Sequence, residues 1–261
     1  MLASVLKSEF DPRLLLAFIV GTSLVIACGC VINNYLDRGL DKRMARTQRR
    51  ALVTGRIPAR HAILFGVILG VIGFRLLLSF TNDLTALIGA IGLFFYLVMY
   101  SFFKRRSWLG TVVGSVSGAT PITAGYTAVT GRFDQAALLL FLSMVFWQIP
   151  HFYAIAIYRY KDYQAAGLPV LPVKKGYRRT KIEILLYIAA FTLASAALTV
   201  KHYTGYIYMA VMLSVGLYWL QEGIAGFKAD DDAKWARHMF FFSLITLLIF
   251  CISLSVGALL P

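Results

Sequence analysis

The stretch VINNYLDRGLDKRMARTQRR (residues 31–50) follows some twenty apolar residues. The apolar segment ends there, because the stretch carries amides, carboxylates and a dense run of basic side chains. A helix of about 20 apolar residues crosses a hydrocarbon core of about 30 Å, and such segments recur along the chain. With 59% hydrophobic residues, 15% charged residues and a mean hydropathy of +0.72, the chain is too apolar for a soluble domain of 261 residues. The sequence therefore predicts an all-α, polytopic transmembrane helical bundle.

The predicted bundle has about eight spans within a single integral-membrane domain, residues 1–261. Two polar helix-loop regions follow the first and fifth spans, at about 34–60 and 159–181. The chain therefore resembles a loose internal repeat, in which two polar sites face one cavity. The expected spans are 14–34, 61–80, 85–103, 108–129, 134–158, 182–200, 205–222 and 239–260.

Basic residues are distributed unequally between the two sides of the predicted bundle. Of the 26 Lys and Arg residues, 21 fall in the breaks after spans one, three, five and seven. The positive-inside rule places these breaks, and both polar regions, in the cytoplasm, with the N-terminus on the outer side. The net charge of +14 thus indicates topology and contact with anionic ligands or membrane lipids. Nucleic acid is excluded as a partner, because the basic residues are split over short loops.

Three oxygen-bearing side chains share one face at the end of the first span. Asn33, Asp37 and Asp41 are four residues apart, and each such step along a helix advances only about 40°. Two carboxylates on one face favour Mg²⁺, which binds through carboxylates together with substrate phosphates, and neighbouring basic side chains offer donors to phosphate oxygens. A second interpretation stays open, in which the carboxylates form i,i+4 ion pairs on a solvated helix end.

The second polar region carries a histidine within the membrane. His151, Tyr158 and Asp162 are spaced seven and four residues apart, which predicts a stripe on one helix face with His151 about 16 Å deeper than Asp162. A lone histidine in a span is often a core residue with satisfied hydrogen bonds. Pro150 beside it predicts a kink, which occurs near pockets and also in plain structural helices.

Four segments resemble the UbiA superfamily of intramembrane prenyltransferases. The first is shared by the whole superfamily, whereas the run PHFYAIAIYRYKDYQAAGLPVLP is similar to its heme-farnesylating members in particular. That family usually has nine spans, and this chain is expected to begin between the first and the second. The segments are GCVINNYLDRGLDKRMARTQRR (29–50), YSFFKRRSWLGTVVGSVSGATPITAGY (100–126), WQIPHFYAIAIYRYKDYQAAGLPVLPV (147–173) and DDAKWARHMFFFS (231–243).

The resemblance implies an enzyme of the bacterial cytoplasmic (inner) membrane with its active-site loops on the cytoplasmic side. Farnesyl diphosphate would donate its farnesyl group to a vinyl group of heme b with addition of water, giving heme O and diphosphate, with Mg²⁺ as the cofactor. A downstream heme-modifying enzyme or a terminal oxidase assembly would be a further partner. The alternatives are a UbiA-type enzyme with an aromatic or quinone-precursor acceptor, and a non-enzymatic membrane heme carrier or transporter.

The resemblance also assigns roles to individual residues. Asn33, Asp37, Asp41 and Asp162 match the family's catalytic residues, and the three aspartates are the expected magnesium ligands. Asp162 is the surviving acid of the second motif. The cations expected to bind diphosphate are Arg38, Lys42, Arg46, Arg50, Lys104, Arg105 and Lys161.

One departure from the family bears on the acceptor. His151 and Tyr158 stand where phenol-prenylating relatives carry acids, which leaves Asp162 after Lys161 and argues against a second full magnesium site. Fewer acids suit a heme vinyl group, since it has no ring proton to lose. His151, Tyr158 and Asn34 are assigned to the heme or acceptor pocket. Neutral imidazole is a good axial ligand for heme iron, so iron ligation and a hydrogen bond within the bundle are both kept as hypotheses for His151.

Overall fold

The structure is a computed structural model that describes residues 11–257. The expected outer N-terminal segment and the last residues of the expected eighth span lie outside this range. Within it, all regular elements are helices, and seven of them are long and apolar enough to cross a membrane. The chain is therefore an integral membrane protein, and the predicted all-α architecture is confirmed.

The helices fall into two compact units. Unit I consists of Asp11–Arg132 and Tyr160–Val173, and unit II of Phe133–Arg159 and the residues from Lys174 onward. In chain order the elements are α1 (Pro12–Asp41), α2 (Ala59–Phe80), α3 (Asp83–Phe94), a π-helical turn (Phe95–Tyr100), α4 (Ser101–Arg106), α5 (Gly110–Thr130), α6 (Gln135–Tyr158), α7 (Tyr160–Ala165), α8 (Leu171–Val200), α9 (Tyr206–Ala225), a 3₁₀ turn (Gly226–Lys228) and α10 (Asp232–Gly257). Unit I contains α1 to α5 and α7, and unit II contains α6, α9, α10 and most of α8.

Glycines allow α1 and α2 to approach each other closely. A Cβ atom added to Gly73 would lie 2.8 Å from the carbonyl oxygen of Gly21, and one added to Gly70 would lie 2.9 Å from Sγ of Cys28. In lipid, apolar burial gives little drive for helix association, so close van der Waals packing through small residues takes over. This packing fixes α1, the helix that carries the first polar motif.

Two expected spans differ from the observed helices. The segment expected at 108–129 forms α5, but α5 is rich in Gly, Ser and Thr and is not among the seven strongly apolar helices of residues 11–257. Helix α8 begins at Leu171 rather than near 182, and it bends at Gly176, whose φ of 77° is a left-handed conformation that suits glycine. Much of the polar region expected at 159–181 is therefore helical.

An ion pair between a buried lysine and a half-buried aspartate of unit II anchors the turn between α9 and α10. The ammonium group of Lys181 pairs with Asp232 and donates a hydrogen bond to the carbonyl oxygen of Gly226 at 2.5 Å. It also lies 5.1 Å from the centroid of the Trp235 ring. Only 8% of the Lys181 side chain is exposed, so the charge depends on these partners.

We expect Asp232→Asn to lower the free energy of unfolding by about 3 kcal/mol, because it leaves the buried Lys181 ammonium without its carboxylate partner. Glu183→Gln provides a control, since the partner that it leaves, Arg179, is 56% exposed. Glu183→Gln should cost less than about 1 kcal/mol. Denaturation of the detergent-solubilised protein, followed by circular dichroism, measures both losses. Equal losses would contradict the role given to burial.

Candidate functional site

The predicted amide and first carboxylate meet two cations from another helix of unit I. The ammonium nitrogen of Lys104 lies 2.8 Å from Asn33 Oδ1 and 2.6 Å from Asp37 Oδ2. A guanidinium nitrogen of Arg105 lies 3.1 Å from Asp37 Oδ1. We call these four residues the Asp37 cluster. It forms because α1 holds Asn33 and Asp37 one turn apart on one face, as the spacing predicts.

The local fold around α4 holds Lys104 in place. The π-helical turn (Phe95–Tyr100) leads directly into α4, and such turns are frequent at functional sites. Gly110 packs on the backbone of Lys104, because a Cβ atom there would lie 2.8 Å from the Lys104 Cα. The Lys104 ammonium lies 4.7 Å from the centroid of the Tyr100 ring. With 9% of its side chain exposed, Lys104 has little freedom to leave the cluster unless a stronger partner replaces it.

A second ion pair lies at the end of α1. One guanidinium nitrogen of Arg50 donates to Asp41 Oδ2 at 2.8 Å and to Asn34 Oδ1 at 2.9 Å. The hydroxyl of Thr47 donates to the backbone carbonyl of Asp41 at 3.1 Å, which folds the following loop back over the helix end. Asn34, assigned to the acceptor pocket by the resemblance, thus accepts a hydrogen bond from Arg50. Both residues line a cavity of about 510 Å³ together with His61.

The remaining cations expected to bind diphosphate are exposed. Arg38 donates to the carbonyl oxygen of Tyr35 at 2.9 Å, within its own helix. Lys42, Arg46 and Lys161 are exposed. These side chains do not belong to the two ion-paired groups, and they remain available to an anionic ligand.

The segment that carries Asp162 packs beside the end of α1. Ala166 and Leu168 form a buried apolar cluster with Met44, which follows α1 by three residues, and Leu40 packs against this cluster. Asp162 itself is half-buried. The fold thus brings the second motif's acid into the same unit as the first motif.

The predicted stripe of His151, Tyr158 and Asp162 on a single helix is wrong. Helix α6 ends at Tyr158, because Arg159 leaves the helical conformation with φ −104° and ψ 24°. His151 and Tyr158 therefore belong to α6 in unit II, whereas Asp162 belongs to α7 in unit I. The period of a helix predicts a shared face only as long as the helix continues, and here it ends at Tyr158.

The three expected magnesium ligands are not gathered into one preformed group. Within residues 11–257, no three His, Cys, Asp or Glu side chains are placed to hold a metal ion together. The oxygens still suit a hard cation, because the Lys104 ammonium already lies between the amide oxygen of Asn33 and a carboxylate oxygen of Asp37. Amide and carboxylate oxygens are the ligands that Mg²⁺ prefers. A metal bound by Asp37 would therefore exchange with Lys104.

An apolar cavity of about 210 Å³ lies in unit I beside the part of α1 that precedes Asn33 and Asp37. Its lining includes Thr22, Ile26 and Cys30 of α1, which precede Asp37 along the helix. At about 1.5 Å per residue, these positions lie about 10 to 22 Å from Asp37 along the axis. Helices α3 and α5 complete the wall. Unit I thus combines an apolar recess with a cation-rich mouth, which suits an amphiphile with an anionic head.

His151 lies buried in unit II. Its ring stacks on Trp147 with centroids 5.0 Å apart, and its Nδ1 lies 2.7 Å from Oγ of Ser243 on α10. Tyr158, at the end of α6, has the guanidinium of Arg159 4.5 Å from its ring centroid. The hypothesis that His151 makes a hydrogen bond within the bundle therefore holds, and this bond leaves its second ring nitrogen for other roles.

Sequence reasoning missed Ser243 and Arg237 as neighbours of the predicted residues. Arg237 lies 5.8 Å from the ring centroid of Tyr158. A signal for Ser243 is present in the sequence, since it is the first polar residue of the apolar run FFFSLITLL (240–248). A histidine buried in a membrane helix needs a hydrogen-bond partner, and the first hydroxyl of such a run is a natural candidate.

Sequence comparison gives both a family match and close relatives. The pattern of the UbiA prenyltransferase family matches residues 1–245. Protoheme IX farnesyltransferase 2 of Chromobacterium violaceum is 49% identical over 257 residues, which is 98% of this chain and 85% of that protein. Protoheme IX farnesyltransferase 2 of Pseudomonas paraeruginosa is 48% identical over 251 residues, or 96% of this chain and 85% of that protein.

Solved structures resemble the fold at lower identity. A structure of digeranylgeranylglyceryl phosphate synthase has a TM-score of 0.79 at 21% identity and covers 96% of this chain and 87% of its own. A UbiA homolog from Archaeoglobus fulgidus, bound to GPP and Mg²⁺, has a TM-score of 0.69 at 16% identity and covers 95% of this chain and 90% of its own. At these identities the likeness establishes the fold.

Proposed function

Because this chain belongs to the UbiA prenyltransferase family, we propose that it transfers the farnesyl group of farnesyl diphosphate to a vinyl group of heme b. Water adds to the vinyl group in the same reaction, and the products are heme O and diphosphate. One observation carries the choice of donor, namely the apolar cavity of unit I beside the helix that bears the Asp37 cluster. The acceptor follows from relatives 48–49% identical that are named protoheme IX farnesyltransferase.

Farnesyl diphosphate fits unit I through both of its chemical parts, the apolar chain and the diphosphate. The farnesyl chain is apolar and suits the recess beside Thr22, Ile26 and Cys30. Its diphosphate suits the mouth, where Lys104 and Arg105 provide point-charge and planar donors. In this arrangement the two cations exchange a carboxylate partner for phosphate oxygens.

Ionisation of the donor begins the reaction. The bond between farnesyl C1 and the diphosphate oxygen breaks, and its electron pair leaves with the diphosphate. Lys104, Arg105 and Arg50 stabilise the negative charge that develops there. Mg²⁺, with Asp37, Asp41 and Asp162 as its proposed ligands, supplies further neutralisation of the leaving group when bound. The apolar recess shields the allylic cation from early capture by water.

Carbon–carbon bond formation follows. The vinyl π electrons of heme attack farnesyl C1, which leaves a cation on the vinyl carbon attached to the porphyrin ring. Water adds to this carbon and loses one proton to solvent, which gives the hydroxyl group of heme O. The protein contributes to this step by excluding water until the new carbon–carbon bond has formed. Water would otherwise capture the allylic cation before the vinyl group attacks it.

The test combines the protein in lipid nanodiscs with heme b, farnesyl diphosphate and Mg²⁺. Mass spectrometry should find a heme heavier by one farnesyl group and one hydroxyl group, together with one equivalent of diphosphate. Reactions without farnesyl diphosphate, and with excess EDTA, are the controls. Heme binding with no product and intact farnesyl diphosphate would indicate a carrier. Product from a quinone precursor but none from heme would indicate the other type of acceptor.

The site should face the cytoplasm of a bacterial inner membrane. The basic residues that follow α1, α4, α6 and α9 support this orientation through the positive-inside rule. Heme O would then pass to a heme-modifying enzyme or a terminal oxidase assembly as a partner in the same membrane. A cysteine placed at residue 45 should react with a membrane-impermeant thiol reagent only after the inner face is opened, and reaction in intact cells would reverse the orientation.

A further inference from the structure

We propose that the cavity of about 510 Å³ beside Asn34, Arg50 and His61 binds an anionic phospholipid, whose phosphate contacts Arg50 and whose acyl chain lies against Phe65. We call it the hairpin cavity, because its lining comes from the end of α1, the start of α2 and the loop between them. It shares no lining residue with the cavity that we assign to farnesyl diphosphate. The phospholipid takes no part in the transfer reaction proposed above.

The hairpin of α1 and α2 places both walls of this cavity at the same membrane surface. A Cβ atom added to Gly66 would lie 3.3 Å from Cγ1 of Val31, whereas one added to Gly73 would lie 2.8 Å from the carbonyl oxygen of Gly21. Contacts that move back along α1 as they advance along α2 show that the two helices run antiparallel. The end of α1 and the start of α2 therefore lie at one level, where the joining loop meets the lipid headgroups.

The hairpin cavity is polar at one end and apolar at the other. Asn34, Arg50 and His61 line the end that is nearest to the loop. Val31 precedes Asn34 by about one turn of α1, and Phe65 follows His61 by about one turn of α2. Because the helices are antiparallel, both steps lead about 4 to 6 Å deeper into the bilayer. A lipid with its head at the surface and its chain below matches this order.

The polar end favours a negative headgroup. Residues 42–61 include seven Lys or Arg and no Asp or Glu, and no acidic residue is among those that line the cavity. Within residues 11–257, the hydrogen bonds from Arg50 to Asp41 and Asn34 both use Nη1. Nη2 and Nε of Arg50 therefore remain for phosphate oxygens, which suit the planar fork of a guanidinium group. Since arginine only donates, Asn34 presents its oxygen to Arg50 and keeps its amide hydrogens as further donors.

The apolar end is open to the hydrocarbon of the membrane. Phe65 is 56% exposed and Ile57 is 46% exposed, although both line the cavity. The nearby exposed residues Leu64 and Ile68 of α2 are apolar as well. An acyl chain can enter from the bilayer and cover this surface, whereas inorganic phosphate would leave it uncovered. Exposed apolar walls together with unused arginine donors therefore favour a lipid over a free anion.

Quenching of tryptophan fluorescence by brominated lipids tests the site in the full-length protein. Phe65→Trp places an indole in the hairpin cavity, and its signal is the fluorescence in excess of the parent protein, which has four Trp residues. The vesicles are phosphatidylcholine with increasing fractions of phosphatidylglycerol or phosphatidylcholine brominated on the upper acyl chain. We expect phosphatidylglycerol to bind about 5-fold more strongly than phosphatidylcholine, which is what one cation near an anionic headgroup provides.

Leu64→Trp is the matched control for position. Leu64 is the preceding residue of α2, so the new indole lies at nearly the same depth, but Leu64 does not line the cavity and is 59% exposed. Bulk lipid should quench it with little preference between the two headgroups. An equal preference for phosphatidylglycerol at both positions would indicate a general attraction of the basic loop for anionic lipid, and the proposed site would be wrong.

A second pair of variants tests the polar end in the Phe65→Trp background. His61→Glu places a negative charge in the cavity and should lower the preference for phosphatidylglycerol about 5-fold. Gln48→Glu adds the same charge to the same basic loop at an exposed position outside the cavity lining, and should change the preference less than about 2-fold. Equal effects would contradict a contact within the cavity. Circular dichroism verifies that each variant is folded.

Competition distinguishes a phospholipid from other anions. Native mass spectrometry of the protein released from phosphatidylglycerol nanodiscs should find one retained phosphatidylglycerol, and His61→Glu should lose it. Excess inorganic phosphate should not displace this lipid, because it lacks an acyl chain. Displacement by inorganic phosphate would make the cavity a site for a free anion, and displacement by heme b would make it part of the acceptor site. Either result would overturn the proposal without affecting the transfer of farnesyl to heme.

Discussion

Replacing Asp37 by Asn should lower the rate of farnesyl transfer on the order of 100-fold or more, while the protein still inserts into the membrane. The carboxylate of Asp37 lies at the centre of the Asp37 cluster, where it meets Lys104 at 2.6 Å and Arg105 at 3.1 Å. Asparagine keeps the shape of the side chain but removes the charge that orients both cations and attracts a metal. Single-turnover assays with heme b and farnesyl diphosphate measure the effect.

A stability control separates this loss of activity from misfolding. Asp37→Asn leaves Lys104 without its carboxylate, and such a buried, unpaired charge lowers the free energy of unfolding by about 3 kcal/mol. The double variant Asp37→Asn with Lys104→Gln removes both charges and should recover most of that loss. It should stay as inactive as the single variant. Recovery of turnover together with stability would show that Asp37 acts only as a structural partner of Lys104.

Filling the deep end of the unit I cavity should change which donor is accepted. Gly89 lines the cavity, and a Cβ atom there would meet Phe74 at 3.6 Å and Leu77 at 3.7 Å, which are ordinary contacts. Leu77 also lies against Gly21, far along α1 from Asp37. Gly89→Leu should therefore lower kcat/KM for farnesyl diphosphate about 10-fold or more, since pocket contacts of this size discriminate substrates on that scale. The shorter geranyl diphosphate should lose much less.

Ala90→Leu is the matched control for this prediction. Ala90 is the next residue of α3 and is exposed, so the added side chain points away from the packed interior. Competition assays with geranyl, farnesyl and geranylgeranyl diphosphate, analysed by mass spectrometry, give the ratio of products. An unchanged preference in Gly89→Leu would mean that the prenyl chain lies elsewhere. A loss shared by all three donors would indicate damage to the fold.

Sequence patterns predicted the parts of this molecule that depend on local chemistry. The membrane spans follow from the length of the apolar segments, because in lipid a helix pairs its own backbone N–H and C=O groups in hydrogen bonds. Asn33, Asp37 and Asp41 share a face because α1 continues through all three. Helix α5 was harder to predict as a span, since Gly, Ser and Thr lower its hydropathy while its 21 residues are long enough.

The ion pairs could not be predicted from spacing. Lys104 and Asp37 are 67 residues apart, and only the packing of α4 on α1 brings them together. The family resemblance assigned Lys104 to diphosphate, and the fold adds its carboxylate partner. Likewise, the sequence around Arg159 does not indicate that α6 ends at Tyr158. The hydrogen bond between His151 and Ser243 spans 92 residues and depends on how α6 and α10 align.

The π-helical turn before Lys104 has a consequence for how this chain tolerates change over generations. Such a turn accommodates one extra residue within an otherwise α-helical segment. Deleting one residue from Phe95–Tyr100 would therefore return the segment to α-helical pitch while Lys104 keeps nearly the same direction. Deleting one residue from the preceding α-helical residues Asp83–Phe94 would instead rotate Lys104 by about 100°, away from Asp37. In the π-helical turn a single-codon deletion is therefore compatible with a working donor site, whereas in α3 it is not.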